Sequence, residues 1–482
     1  MEKESLRVQP DGRLALTPHP AALGAALTHP HITTDFSESQ LELITGTHGG
    51  AEALIEELTE VHQYVYRHIG NEILWAASMP CGLPADDQIP LGRYGSSNVG
   101  RAKTVYRMGL SYRYGRRMQA ISGIHYNFSL PGVTSEQYFA LIRNFRRRSW
   151  LLLYLFGASP AVCPSFVEGR RHELQPLSPG TLYMPHGTSL RMGRLGYQSD
   201  AQASLAVSYN SLKSYTASLY DALTKPYPPY EEIGIFKNNQ YNQLSATLLQ
   251  IENEFYGAIR PKRRIRRGER PLHALRERGV EYVEVRLMDL DPFEPVGIGA
   301  ATTRLIDTFL LQCLLDASPP DTAEEIGAIG RNQQLVATRG REPGLMLFRG
   351  SSVVSLSQWG KEILSTCDSI AESLDHALGG SAHQEALANA RHALDHPAAL
   401  PSARVLEAIK LEHADSFTRF ALRKSQAHAD RLRSLPLPAK AEMRLVHLAA
   451  ESLAEQMRIE AADTVDFETF RQKYLSPELL KV

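Results

Sequence analysis

Two short stretches alternate apolar and polar residues strictly enough to demand strands with one dry face, and a third alternates briefly. In "YVEVRLMDL" (282–290), Val283, Val285 and Leu287 lie on one side, and Glu284 and Arg286 on the other. In "GIHYNFSLPG" (123–132), Ile124, Tyr126, Phe128 and Leu130 oppose His125, Asn127 and Ser129. In "EKESLRV" (2–8), Glu2 and Glu4 share a face with Leu6. A fold built on these strands must accommodate a second sheet face that carries acids, an imidazole and a guanidinium.

The rest of the chain supplies helices to cover such a sheet. "AEALIEELTEVHQYVYRHIG" (51–70) sets Leu54, Ile55, Leu58, Val61 and Val65 on one helical face. Residues 101–121, 134–156, 210–224 and 301–317 also read as helices, and nearly everything after about residue 355 is helical with Pro and Gly breaks. "HPAALGAALT" (19–28) predicts a short helix. "HITTDFSESQLELITGTHGG" (31–50) stays undecided. "LELIT" suits a strand, whereas Asp35, Glu38 and Glu42 stand at i, i+3 and i+7 of a helix. The mixture indicates an α+β fold, divided into residues 1–345 and a mostly helical region at 346–482.

Composition narrows the partners. Among 482 residues, 52 are basic and 53 acidic, so no global field draws the chain to nucleic acid or an anionic membrane. The basic run "RPKRRIRR" lacks interleaved aromatics and reads as a solvated loop, although Arg260 and Lys262 at its start can differ from the rest. The longest apolar stretch, Trp150–Cys163, is too short to span a bilayer, and the N-terminus has no apolar signal region. Four scattered cysteines, Cys81, Cys163, Cys313 and Cys367, make neither a zinc framework nor a disulfide scaffold, and fit a reducing cytoplasm. These features predict a cytoplasmic, monomeric protein acting on small molecules.

The polar strand faces suggest chemistry. Carboxylates with one imidazole and no thiol suit a hard cation such as magnesium or manganese, and magnesium commonly bridges to a substrate's phosphates. An arginine beside a metal-binding glutamate can hold a transferring phosphoryl group. Each candidate also has an ordinary reading. Glu2 and Glu4 suit a solvated strand end, His125 a hydrogen-bonded core group, Glu284 and Arg286 a cross-strand ion-pair face, and Asp35 a helix N-cap. "GSSNVG" (95–100) resembles a phosphate loop only loosely, without the lysine–serine pair.

Nine motifs in order add a resemblance. "EKESLRV", "HITTDFSESQLELIT", "SMPC", "YGSSNVGRAKTVYRMGL", "ISGIHYNFSLP", "YLFGASPAVC", "TSLRMGRLGY", "QIENEFYGAIRPKR" and "GVEYVEVRLMDLDPFEPVG" together resemble the proteobacterial type of glutamate–cysteine ligase. The likeness runs from residue 2 to about residue 300, and more loosely to about 370. It implies a glutamine-synthetase-like fold: a curved, mainly antiparallel sheet forming an active-site funnel, with helices outside. It implies ATP-dependent joining of the glutamate γ-carboxylate to the cysteine amine through an acyl phosphate, giving γ-glutamylcysteine.

The same resemblance assigns residues. Glu4, Asp35 and Glu42 would hold one metal, and Glu2, His125 and Glu284 the phosphate-bridging metals. Arg286 would meet the transferring phosphate, with Arg260, Lys262 and Arg107 on substrate or nucleotide anions. Phe36, Tyr106, Leu110, Gln119, Arg191, Tyr197 and Tyr256 would line the cysteine pocket, with Arg191 able to pair with a carboxylate. Relatives usually carry a further helical segment ahead of the paired glutamates, whereas here Met1 directly precedes Glu2. A related ligase with another amine acceptor, and an inactive relative acting as a binding protein, are the alternatives.

Overall fold

The computed structural model describes residues 1–482 apart from 197–199, 204, 206, 267, 481 and 482. Its centre is a seven-stranded antiparallel sheet. The strands are β1 (Glu2–Val8), β2 (Ile32–Thr34), β3 (Gln40–Ile44), β4 (Ile73–Leu74), β5 (Ile124–Phe128), β6 (Ile259–Lys262) and β7 (Tyr282–Met288). They run in the order β6-β7-β5-β1-β3-β2, with β4 paired to the end of β1. All three alternating stretches are strands, and the stretch at 31–50 resolves into two strands joined by a turn, not a helix. The fold is therefore the expected mainly antiparallel sheet with helices packed outside.

The outward face holds Ile32, Leu41, Leu43, Ile124, Val283 and Val285, all fully buried. Helices cover it: α1 (Ala51–His68), α4 (Ser135–Arg148) and α5 (Trp150–Phe156) all contact sheet strands. Their apolar stripes do the covering, with Leu54, Leu58, Val61 and Val65 of α1 buried as the periodicity requires. A capping box of Thr134 and Gln137 starts α4. Strand β1 is unusual in being polar on both faces. On the outward side, Lys3 Nζ donates to Ser5 Oγ at 2.7 Å and lies 3.0 Å from His62 Nε2. Further along, Arg7 pairs with Glu72 at 2.6 Å. Burial pushes the Lys3 amine down to about 7.

Helix α2 (Asn98–Tyr114) crosses near the sheet's open face and is followed by the short α3 (Arg116–Gln119). Ser97 caps α2 by accepting from Gly100 N–H. Gly100 is required there, because a Cβ would lie 2.1 Å from the Tyr94 carbonyl oxygen. Two further N–H groups at this entry go to acids of the C-terminal region. Ser96 N donates to Glu460 at 2.8 Å and Asn98 N to Asp463 at 2.5 Å. The 95–100 loop is thus a helix entry capped by protein carboxylates, in keeping with its poor match to a phosphate loop.

Two expectations change. The helix predicted at 19–28 is only a single 3-10 turn, Ala21–Leu23, because Pro20 and Gly24 bracket too few residues for an α-helix to propagate. The cysteines are not all isolated: Cys81 and Cys163, 82 residues apart, are joined by a disulfide with their Cα atoms 5.8 Å apart. Sequence spacing hid that pair because the fold, not proximity in the chain, brings them together. Cys313 and Cys367 are free and buried.

From Leu356 onward the chain is helical, and its Phe420, Leu432 and Leu445 belong to the same core as Leu6 and Val8 of β1. Among the described residues, no helix is long and apolar enough to cross a membrane. Leu43→Ala, on the outward side of β3, is expected to lower stability by about 2–5 kcal/mol. Urea unfolding followed by circular dichroism checks this, and an unchanged midpoint would contradict the packing described.

Candidate active site

Strand register builds the polar face. Residues directly opposite in antiparallel strands point to the same side. Glu4 of β1 pairs with Glu42 of β3, and Glu2 pairs with His125 of β5. Glu284 of β7 pairs with Asn127 of β5 and with Arg260 of β6. The three polar strand faces noted in the sequence therefore form one surface, and Glu42 joins them. Register shifts between Val285 and Met288, the stretch from which Arg286 projects.

The contacts are close. His125 lies between two acids, with Nδ1 3.1 Å from Glu2 and Nε2 3.5 Å from Glu4. Asn127 Nδ2 donates to Glu2 at 3.0 Å, and Gly123 N donates to Glu4 at 2.7 Å. Lys262 Nζ is 3.0 Å from Glu284, Arg286 is 3.2 Å from it, and Arg260 3.9 Å. Arg260 also donates to the Asn253 and Phe255 carbonyls, which fixes its position. The first four basic residues of the run separate as anticipated: Arg260 and Lys262 face the site, whereas Arg263 and Arg264 pair with Glu281.

The site has two electrical ends. Burial alone would raise the Glu284 carboxyl, but Lys262 and Arg286 outweigh it and hold Glu284 well below the usual range. Glu2 is similarly held at about 2 against burial, chiefly by its bond to His125. At the other end, burial and neighbouring acids prevail over the cations within reach, Arg191 and Arg286 acting on Glu4 and Lys103 on Glu42. Burial, reinforced by the Asp35 carboxylate, pushes Glu4 up to about 8. Burial together with Glu2, Asp35 and Glu4 drives Glu42 well above its ordinary value. A group of acids that must retain protons to coexist is chemically suited to a cation.

The donor set fits that reading. Glu2, Glu42 and His125 can each bring one ligand atom within 4.8 Å of the others. The grouping cuts across the two metal sets implied by the resemblance, placing Glu42 with Glu2 and His125. Asn127 Oδ1 and Arg260 Nε are buried without a protein partner among the described residues, one suited to a cation or donor and the other to an anion.

Beside this face lies a cluster of aromatic side chains. Gln119 Nε2 donates to the Tyr256 hydroxyl at 2.7 Å, and Tyr114 meets the Tyr256 ring edge-on at 5.6 Å. Tyr106 is near enough to Tyr256, Arg260 and Arg107 for each to act on its hydroxyl. Phe36, Leu110 and Arg191 are buried, the last at 1% exposure. Tyr197 lies outside the described residues. Arg107 is held by the Asp35 carbonyl and stacks 4.5 Å over the Tyr94 ring.

Sequence reasoning missed Lys103, which shares that ring with Arg107 at 5.1 Å. Its signal was available, since Lys103 and Arg107 are four residues apart on one helix. Tyr94 itself carried none. Its hydroxyl donates within reach of the Thr34 and Asp35 carbonyls, at 2.7 and 2.8 Å, a role only the fold reveals.

With this geometry in place, comparison with known proteins is direct. The "Glutamate-cysteine ligase" family profile matches residues 1–336. A glutamate–cysteine ligase of Pseudomonas entomophila is 50% identical over 98% of this chain and 93% of its own length. One from Bordetella bronchiseptica is 49% identical over the same shares of each. The crystal structure of glutamate–cysteine ligase from Francisella tularensis, in complex with AMP, superimposes with a TM-score of 0.94 at 36% identity, over 99% of this chain and 97% of that one. A bifunctional glutathione synthetase from Pasteurella multocida gives a TM-score of 0.70 at 27% identity, over 89% of this chain and 52% of the other.

Fold and relatives define the class as a ligase, an enzyme that joins a carboxylate to an amine. Within that class, the chain belongs to the glutamate–cysteine ligase family.

The crowded acids give a test in the absence of metal. The raised Glu4 carboxyl keeps its proton in the folded chain where the unfolded chain has lost it. Stability therefore falls as pH climbs from the ordinary value of 4.5 to about 8. Glu42→Gln removes one repelling charge and is expected to stabilise the metal-free protein above about pH 8 by roughly 0.5–2 kcal/mol, with the least effect at or below about pH 4.5, where the carboxyl keeps its proton in the unfolded chain as well. Thermal melts at the two pH values, with and without magnesium, check this. A destabilised variant at high pH would contradict the repulsion.

Proposed function

We propose that this protein ligates L-glutamate to L-cysteine at the expense of ATP, giving γ-glutamylcysteine, ADP and phosphate. A γ-carboxylate oxygen of glutamate attacks the terminal phosphorus of ATP, and the bond to the bridging oxygen breaks as ADP leaves. The cysteine amine then attacks the γ-carbonyl carbon of the acyl phosphate. Phosphate departs, and the amine gives up a proton to yield the amide. This is the committed joining reaction from which glutathione is built.

The observation that carries the proposal is the placement of Glu284 and Arg286 on one buried strand face, with Lys262 3.0 Å from Glu284. An anionic carboxylate must approach an anionic polyphosphate, so the barrier is mainly electrostatic. In this reading Arg286 meets the transferring phosphoryl group, while Arg260, Lys262 and Arg107 hold nucleotide or substrate anions. Glu2, Glu4, Asp35, Glu42, His125 and Glu284 hold divalent cations, magnesium with manganese as a substitute. Such cations, when bound, would neutralise polyphosphate charge at the crowded end of the face. His125, its charge disfavoured by burial and by Arg286, is suited to offering a neutral ring nitrogen.

The cysteine pocket follows from the aromatic wall. Phe36, Tyr106, Leu110 and Tyr256 enclose the thiol-bearing side chain, and Gln119 fixes Tyr256 through the 2.7 Å bond. Arg191 pairs with the substrate carboxylate, and Tyr197 completes the set. Enclosure also keeps water from the acyl phosphate, which would otherwise hydrolyse.

The deciding measurement is phosphate release from ATP with glutamate, with and without cysteine, alongside detection of γ-glutamylcysteine. Cysteine-dependent product is expected; its absence from folded protein overturns the proposal. Glu284→Gln is expected to cut turnover at least about a hundredfold, and near-normal activity would remove Glu284 from the machinery.

A further inference from the structure

Asp289 is not among the residues that the resemblance assigns, yet it sits where it governs one of them. It follows β7, three residues beyond Arg286, and is 3% exposed. Its Oδ2 accepts from Ala158 N at 2.9 Å and Ser159 Oγ at 2.6 Å, and its Oδ1 accepts from Ser189 Oγ at 3.0 Å. Two distant chain segments, 158–159 and Ser189, thereby fix one carboxylate, and Arg191 Nη1 lies 4.0 Å from its Oδ1.

Arg191 is enclosed on its other sides. Its Nη2 donates to the Arg286 carbonyl at 2.9 Å. Its guanidinium lies against the Gly123 backbone so tightly that a Cβ on Gly123 would fall 2.2 Å from Nη2. A fully buried cation needs a fixed counter-charge to remain in place. Asp289 supplies one at a distance that balances charge without taking the guanidinium into a short, saturating fork.

We infer that Asp289 is a positioning residue that holds Arg191 aimed at the carboxylate of the amine substrate, and so sets preference for an α-amino acid over a simple amine. The inference rests on the reading that Arg191 pairs with that carboxylate. Asp289 also lies on the segment that carries Arg286, and Arg191 leans on the Arg286 carbonyl. Recognition of the second substrate and placement of the phosphoryl contact therefore share one rigid support.

The test compares L-cysteine with 2-aminoethanethiol, which lacks the carboxylate, in wild type, Asp289→Asn and Arg191→Gln. In Asp289→Asn, kcat/KM for L-cysteine is expected to fall about tenfold or more while that for 2-aminoethanethiol moves less than about threefold. The KM values for ATP and glutamate should stay within about twofold. A merely structural role would lower both thiol amines together and overturn the inference. If Arg191→Gln leaves the preference intact, the reading of Arg191 fails and the inference with it. If Arg191→Gln collapses the preference and Asp289→Asn does not, the inference alone is overturned. Should Asp289→Asn not fold, Ser159→Ala removes one donor to the same carboxylate. A smaller narrowing of the preference is then expected, and an unaltered preference rejects the role.

Discussion

Glu4 opposite Glu42 is the constraint on which the arrangement depends. A buried and a half-buried carboxylate face each other across adjacent strands, with Asp35 nearby adding to the repulsion and the cations within reach, Arg191, Arg286 and Lys103, not offsetting it. Neither burial nor like charge favours this pairing, so the surrounding structure must hold it. The outward faces of β1, β3, β5 and β7 do so, by packing Leu41, Leu43, Ile124, Val283 and Val285 beneath the helices. Hydrophobic burial on one side of the sheet thus sustains electrostatic strain on the other.

The opposite end of the face is built in reverse. Lys262, Arg286 and Arg260 surround Glu284, so an anion arriving there meets a surplus of positive charge. A polyphosphate lying across the face would have its charge met by fixed cations at one end and by carboxylate-held ions at the other. Such an arrangement requires little rearrangement during reaction, which is the basis of electrostatic catalysis in a preorganised site.

Much of this was legible in the sequence, and the limits have physical causes. Period-two alternation gave the strands and the facing of Glu284 and Arg286, because side-chain direction in a strand is local. Alternation could not give register, so the approach of Glu42 to Glu2 and His125 was invisible until the strands were paired. Residues 31–50 satisfied both helical and strand spacing, and pairing with β1 decided between them. The 19–28 helix failed because propensity is weak beside Pro20 and Gly24. Cys81 and Cys163 were too far apart in sequence to suggest a pair. Tyr94 and Asp289 act through backbone carbonyls and a second side chain, a kind of role that no short motif carries. The resemblance supplied what pattern could not: which of several polar faces belong together.

The entry to α2 reaches further than its length suggests. Helix α2 brings Lys103, Tyr106, Arg107 and Leu110 to the site, yet at its entry the N–H groups of Ser96 and Asn98 are held by Glu460 and Asp463, and Arg101 lies 4.4 Å over the Phe467 ring. The family profile ends at residue 336. The acids that hold the entry of α2 therefore lie beyond the stretch that the family profile matches, in the region still shared with full-length relatives. A gene trimmed to the matched region would retain every proposed metal-holding residue, but would release the entry of the helix that carries Arg107 and, in the proposed pocket, Tyr106 and Leu110. Its helical tail is a keystone for the pocket rather than an appendage to it.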